Sequence, residues 1–336
     1  MNNTLVIAEA GPNHNQDWDL AKKLVDVAID SGADVVKFQT YSSNTLYAKQ
    51  QKDVSGIKDI HSMFKSLEIP RHWQKDLKMY CDDNGIEFMS TPFDEKAVDE
   101  LYDLGVKRLK ISGFEGTDPR FVDLVASTGL DIIMSAGIGW QPNYWGLFAD
   151  IFEKYNNEVT LLHCVNAYPT PIDQINLSLI DKGKGLRKVS HIGLSDHTQS
   201  TLTPALAVAR GATVIEKHFT ISNLLPGPDH YFSIEPQQLK EMVHNIRQAE
   251  LAMSINDSIE ELKHTNGRRS IVAKVDLKKG DVLTKDNITT KRPYYPESAP
   301  AIDYFSLLGT TIESDIKTDV IINKKDLSSF YESQSV

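Results

Sequence analysis

The sequence predicts an α/β chain: an eight-stranded TIM (β/α)8 barrel followed by a small, mostly β domain. Three observations point there. Short apolar runs alternate eight times with longer amphipathic segments up to Met253. Several runs, such as Ile132-Ile133-Met134 and Leu161-Leu162, are apolar on consecutive positions, as parallel strands covered on both faces require. After Met253 the alternation stops, and 336 residues exceed what one core usually holds.

The expected strands are Leu5–Glu9, Val35–Gln39, Glu87–Ser90, Arg108–Ile111, Asp131–Ser135, Thr160–Cys164, His191–Leu194 and Thr213–Lys217. Trp18–Asp30 reads as a helix because Leu20, Leu24, Val27 and Ala28 share a face and Gly32 stops it; Trp73–Asn84 ends in the same way at Gly85. Lys96–Leu104, Pro119–Thr128, Tyr144–Tyr155, Ser178–Arg187, Leu202–Arg210 and Pro236–Met253 complete the helices. The stretch Tyr41–Ile69 is long for a connection and reads as an active-site loop with some local helix. The expected division is a barrel over 1–253, a polar linker over 254–267, a domain of short strands over 268–327 and a tail over 328–336.

Composition narrows the function. With 40% apolar and 24% charged residues, and no apolar stretch near the ~18 residues that cross a bilayer, no membrane role is expected. Met1-Asn2-Asn3-Thr4 leads directly into Leu5-Val6-Ile7-Ala8, and Cys81 and Cys164 are the only cysteines, so a reducing, cytoplasmic location is expected. A net charge of -10 argues against nucleic acid as a partner. An anionic substrate would have to be held by a few local lysines and arginines.

In a barrel of this kind, polar residues at the carboxyl ends of the strands converge on one mouth. Those ends carry Glu9, Lys37, Gln39, Thr91, Lys110, Ser112, Glu115, Ser135, His163, Asn166, Ser195, His197, Glu216 and His218. Lys37 and Lys110 rise from apolar strands, so each ammonium needs an anion. Either a bound phosphate and carboxylate supply it, or Glu9, Glu115 and Glu216 do so in a structural ion network. His197 in GLSDHT and His218 in EKHFT stand 21 residues apart, one strand-helix unit, and would emerge side by side. They read either as a two-ligand divalent metal site with open positions or as hydrogen-bonded structure. His14, His163 and His230 read as supporting or substrate-contacting groups. Glu9 and Glu115 are acid/base candidates or charge partners for the lysines. Gly227-Pro228-Asp229-His230 reads as a rigid turn, either lid or connector.

The ordered strings EAGPNHN (9–15), VVKFQTY (35–41), STPFD (90–94), LLHCVNAYPTP (161–171), GLSDHT (193–198), EKHFT (216–220), GPDHYFS (227–233) and RRSIVAKVDLKKGDVLTKDNITTKRP (268–293) resemble the sialic acid synthase family over nearly the whole chain. That family condenses phosphoenolpyruvate with N-acetylmannosamine or a related amino sugar. The resemblance implies a barrel followed by an antifreeze-like (SAF) domain, in a swapped homodimer. It implies His197 and His218 as ligands of a divalent metal, manganese first with magnesium or cobalt as alternatives. Lys37, Gln39, Thr91, Lys110, Ser112, Asn166 and Ser195 would hold phosphoenolpyruvate, and Glu9 and Glu115 would be catalytic. Tyr168, Asp229 and Arg292 would face the sugar, Arg292 from the partner subunit.

The sequence departs from the family pattern in three places. Lys110-Ile111-Ser112-Gly113-Phe114-Glu115 keeps the Lys-to-Glu interval but shifts the serine by one. Pro293-Tyr294-Tyr295-Pro296 replaces a glycine-rich turn, and Ser135-Ala136-Gly137 replaces Ser-Thr-Gly. The sugar is therefore left open among sialic, legionaminic, pseudaminic and other nonulosonic types. Two further readings remain: another phosphoenolpyruvate-aldose condensing enzyme, or a non-catalytic sugar-binding homologue.

Overall fold

A computed structural model describes residues 3–48, 59–137, 145–255 and 260–333. Parts of the expected 41–69 loop, of the 254–267 linker and of the tail, and Tyr144 at the head of an expected helix, lie outside the described residues. The chain divides into two compact units, Met1–Ser254 and Ile255–Val336.

The first unit is the barrel. Its strands are β1 (Leu5–Gly11), β2 (Val35–Thr40), β3 (Glu87–Pro92), β4 (Arg108–Ile111), β5 (Asp131–Ala136), β6 (Val159–Cys164), β7 (Val189–Asp196) and β8 (Val214–His218). They pair in parallel in the order β3-β2-β1-β8-β7-β6-β5-β4. Pairing of β1 with β8 brings Glu9 opposite His218. The ring closes where β3 and β4 lie side by side, and there Arg108 and Glu87 join across the seam, Nε to Oε1 at 3.0 Å.

The helices are α1 (Trp18–Asp30), α2 (Trp73–Asp83), α3 (Glu95–Asp103), α4 (Pro119–Ala126), α5 (Trp145–Tyr155), α6 (Ile180–Gly183), α7 (Thr203–Ala209) and α8 (Pro236–Met253). Aspartates start three of them: Asp17, Asp94 and Asp118 accept hydrogen bonds from the first free backbone N–H groups of α1, α3 and α4. The loop after β2 carries short helical segments at Ser43–Leu46 and Ile60–Lys65.

One helix is much shorter than expected. Ser178–Arg187 contributes only a single turn of 3-10 helix, Leu177–Leu179, followed by the four residues of α6. The chain turns extended at Lys184, with Gly185 at φ +79° beyond it. A side chain on Gly183 would begin 3.2 Å from Ile192, so the glycine lets this turn lie close against β7.

The strands carry two apolar layers because alternate residues face opposite sides. Val6, Ala8, Val36, Phe38, Ile132 and Met134 face the helices. Ile7, Val35, Met89, Ile133, Leu162 and Val214 plug the barrel axis. Two residues further along the same inward face stand Glu9, Lys37, Thr91, Ser135, Cys164 and Glu216. The strand period that fills the barrel with hydrocarbon therefore also delivers a ring of polar groups directly above it.

The second unit has its own core around Ile271, Ala273, Leu277, Leu283, Ile288, Leu307 and Ile322. Among its described residues regular pairing is limited to β9 (Ser270–Ala273) with β10 (Ile288–Lys291), antiparallel. Isolated bridges such as Val272 with Ile321 and Leu277 with Ile316 extend it. Arg292 is exposed just past β10.

Candidate active site

At the carboxyl end of the barrel one pocket is lined by Glu9, Lys37, Gln39, Thr91, Lys110, Ser112, Ser135, Cys164, Asn166, Tyr168, Ser195, His197, Glu216 and His218, with Phe93, Gly113 and Phe114. Glu115 lies one bond away, accepting a hydrogen bond from Ser112 Oγ. Asp229 reaches the same region from the loop after β8. Its Oδ2, Glu9 Oε1 and Gln39 Nε2 all stand within 3.4 Å of where a side chain on Gly11 would begin, a position held at φ +51°. Arg292 belongs to the second unit.

Two buried ammonium groups organise the floor. Lys37 Nζ lies 2.7 Å from Glu9 Oε2, 3.5 Å from Glu216 Oε2 and 2.9 Å from Thr91 Oγ1. Lys110 Nζ donates to Ser135 Oγ at 2.8 Å and to its neighbour's carbonyl, Ile111 O, at 3.1 Å, but stands 3.7 Å from Glu216 Oε1. Ser195 Oγ donates to that same oxygen at 2.9 Å. Both lysines thus meet carboxylates, Glu9 and Glu216; Glu115 makes no ion pair with either among the described residues.

The two lysines are unequally satisfied. Burial works against the charge on Lys37, but Glu216 and Glu9 outweigh it and hold its pKa above the usual value. For Lys110 burial wins and the pKa is lowered: Glu216 at 3.7 Å raises it, but not enough, and Lys37 repels the charge. An anion beside Lys110 would relieve that deficit. Burial also lifts the carboxyls of Glu9 and Glu115 above the ordinary range. Burial acts in the same sense on Glu216, yet Lys110 and Lys37 hold it down to about 2. Two carboxylates flanking one lysine are thereby driven apart, a pattern that divides proton-transfer and charge-holding roles.

The histidines meet on the adjoining wall. The rings of His197 and His218 have centroids 5.5 Å apart, and Tyr168 covers His197 at 4.2 Å. His197 Nδ1 donates to Val165 O at 2.7 Å, leaving Nε2 with its lone pair. His218 Nδ1 is buried, has no hydrogen-bond partner among the described residues and lies 3.6 Å from Asp229 Oδ2. Burial pushes His197 down to about 4 and His218 well below its ordinary value, so both are neutral near pH 7, as a metal ligand must be. No group of three or more His, Cys, Asp or Glu gathers in metal-binding geometry among the described residues. The donor set fits an ion held by two imidazoles, with its other positions open to substrate or water.

Asn166 is admitted by the absence of side chains opposite. A side chain on Gly137 would begin 1.8 Å from Asn166 Oδ1 and one on Gly113 2.8 Å from it. Asn166 Nδ2 donates to Tyr168 Oη at 3.4 Å.

His14, His163 and His230, read as supporting or substrate-contacting groups, do not line this pocket. His163 points to the outer side of β6, away from inward Leu162 and Cys164, and its Nε2 bonds Ile175 O at 2.6 Å. It lines an apolar cavity of about 500 Å³ with Leu161, Val165 and Ile192. His14 packs against Phe38 and Trp73, and His230 bonds Thr220 Oγ1 at 2.6 Å. Ser135 and Glu216, by contrast, stand in the floor of the pocket; both are findable by stepping two residues on from the plugging Ile133 and Val214.

Residues 24–258 match the model of the NeuB family, and residues 268–328 match that of the SAF domain. The chain is 39% identical to the N,N'-diacetyllegionaminic acid synthase of Campylobacter jejuni, covering 96% of this chain and 100% of that one. It is 31% identical to a pseudaminic acid synthase of the same species, over 96% of each chain. Among solved structures, the N-acetylneuraminic acid synthetase of Leptospira borgpetersenii superposes with a TM-score of 0.71 at 32% identity, covering 78% of this chain and 90% of that one.

Proposed function

The chain belongs to the NeuB family, with a C-terminal SAF domain, and on that premise we propose that it joins phosphoenolpyruvate to an N-acetylated amino sugar, giving a nonulosonic acid and phosphate. Nonulosonic acid synthases of this family are C–C bond-forming transferases that depend on phosphoenolpyruvate. The observation that carries the reading is the meeting of Lys37, Lys110, His197 and His218 in one pocket. An anion clamp and a cation holder side by side suit a phosphorylated acid and a carbonyl.

Lys37 with Thr91, and Lys110 with Ser135, would receive the phosphate and carboxylate of phosphoenolpyruvate. Gln39, Ser112, Asn166 and Ser195 would add directed hydrogen bonds. His197 and His218 would hold a divalent ion, manganese first, with magnesium or cobalt as alternatives; when bound it supplies Lewis-acid polarisation of the sugar's carbonyl. The enol carbon attacks the open-chain aldehyde, and the new alkoxide takes a proton. Water adds to the cationic carbon left behind, and collapse of that adduct to the ketone expels phosphate. Water supplies both protons, one to the alkoxide and one to the departing phosphate. Glu9 and Glu115, with carboxyls raised by burial, are suited to carry them.

Tyr168, Asp229 and Arg292 would face the sugar, Arg292 from the partner subunit of a homodimer. A cytoplasmic site of action agrees with phosphoenolpyruvate as a substrate; no helix of the described residues is long and apolar enough to cross a membrane. The higher identity to the diacetyllegionaminic relative, 39% against 31% to the pseudaminic one, favours a legionaminic-type acceptor.

The test is an acceptor panel of N-acetylated hexosamines, their diacetamido deoxy analogues and plain sugar phosphates, with phosphate release and product mass as readouts. Turnover should require an amino sugar and a divalent ion. Turnover with plain sugar phosphates alone would move the chain to a different condensation, and none across the panel would overturn the enzymatic reading.

A further inference from the structure

Directly behind the two histidines lies a buried ion pair that the mechanism above does not use. Asp196 precedes His197 and Lys217 precedes His218, and the two are ladder partners across β7 and β8. Strand alternation turns His218 into the pocket and Lys217 away from it. Lys217 Nζ meets Asp196 Oδ2 at 2.7 Å, with side-chain exposures of 1% and 0%. It also donates to Thr198 O, to Thr198 Oγ1 at 3.2 Å and to Ser200 O at 3.2 Å. Asp196 in turn accepts from Thr198 N at 2.8 Å and from Thr203 Oγ1 at 2.7 Å. His197 is therefore bracketed by two residues tied to the same ammonium, and that ammonium belongs to the residue before His218.

We propose that the Asp196–Lys217 pair is a positioning clamp that sets the separation and aim of the two imidazoles, and so the affinity of the ion they hold. This rests on the reading of His197 and His218 as metal ligands. One general point and two observations favour a positioning role over mere packing. A well-packed apolar pair is commonly as stable as a buried ion pair, so stability alone does not call for charges here. Among the described residues the Nδ1 of His218 has no hydrogen bond to hold the ring, so its aim depends on packing against Phe232 and Tyr168 and on the backbone at 217–218. The bonds of Lys217 run to the 198–200 loop, the segment that carries the chain away from His197.

The experiment uses the full-length protein and manganese alone as the probe. Dissociation constants and Mn(II) EPR spectra are compared for wild type, Asp196→Asn, the double variant Asp196→Leu/Lys217→Met and His218→Ala, each held well below its melting temperature. The double variant leaves no unpaired buried charge, and Asp196→Asn keeps the side chain's shape while removing its charge and one of its two acceptor oxygens, should the double variant not fold. The clamp predicts manganese affinity weakened roughly 10–100-fold with an altered spectrum, as for other groups behind metal ligands, while phosphoenolpyruvate binding to the metal-free protein is unchanged. Folded variants with wild-type affinity and spectrum would overturn the clamp alone. Equal binding by wild type and His218→Ala would overturn the metal reading, and the clamp with it.

Discussion

Glu216 Oε1 and Oε2 lie 3.7 and 3.5 Å from the ammonium groups of Lys110 and Lys37, so one carboxylate screens two buried cations from each other. Removing its charge should be costly: Glu216→Gln is expected to lower the free energy of unfolding by on the order of 3 kcal/mol, measured by urea denaturation at pH 7. Added phosphoenolpyruvate should restore more stability to this variant than to wild type, because its anions replace the lost charge. Glu115 gives the pH prediction. Burial raises its carboxyl pKa, so the folded chain keeps that proton to higher pH than the unfolded chain. The stability from this group is complete below the unfolded carboxyl value and is lost as pH rises through the raised one. The stability of wild type relative to Glu115→Gln should therefore fall as pH rises from 4 toward neutrality, on paired denaturation curves. At this scale the sequence was informative where chemistry is concentrated at strand ends, as at Lys37, Lys110, His197 and His218. It misjudged His163, since a strand of period two sends adjacent residues to opposite faces and the end of β6 does not itself say which face is inward.

Among the elements, the barrel strands and α1 were legible because their apolar spacing is unbroken, and Trp18–Asp30 has those bounds in the structure. Asp17 caps α1, accepting from Asp19 N at 2.9 Å and Leu20 N at 3.0 Å. Asp17→Ala should cost roughly 0.5–2 kcal/mol of stability, read as a shifted urea midpoint with kcat unchanged. The sixth helix was not legible. Ser178–Arg187 has enough apolar residues for a helix, but the close approach of Gly183 to Ile192 and the turn at Lys184–Gly185 follow from packing against β7 rather than from local preference. Gly193 makes a second close approach, in β7 itself: a side chain there would begin 2.1 Å from Val214 O and 2.6 Å from Leu162 Cδ2. Gly193→Ala must push β7 from β8, the two strands that present the histidines. A lowered melting temperature and a manganese affinity reduced even in the folded fraction are expected.

For the molecule as a whole, the end of the strand-helix alternation at Met253 signals a second unit, and residues 268–328 match the SAF domain. Few of its strands are regular: β9 and β10 pair, and single bridges do the rest, which explains why period-two patterns there are short. Arg292 stands in this unit, apart in sequence from every barrel residue of the pocket. If the site is shared between subunits, Arg292→Ala mixed with Lys110→Ala should recover activity that neither variant has alone, in a refolded hybrid assayed for phosphate release. No recovery would place the whole site within one chain. On the proposed function, an anion clamp and a cation holder open on one pocket. Paramagnetic relaxation tests it most directly, by following the 31P resonance of phosphoenolpyruvate bound to the manganese-loaded protein. Strong broadening is predicted in wild type, lost in His197→Ala/His218→Ala although phosphoenolpyruvate still binds. Bound phosphoenolpyruvate with a sharp 31P line in wild type, or broadening untouched by removal of both histidines, would contradict it.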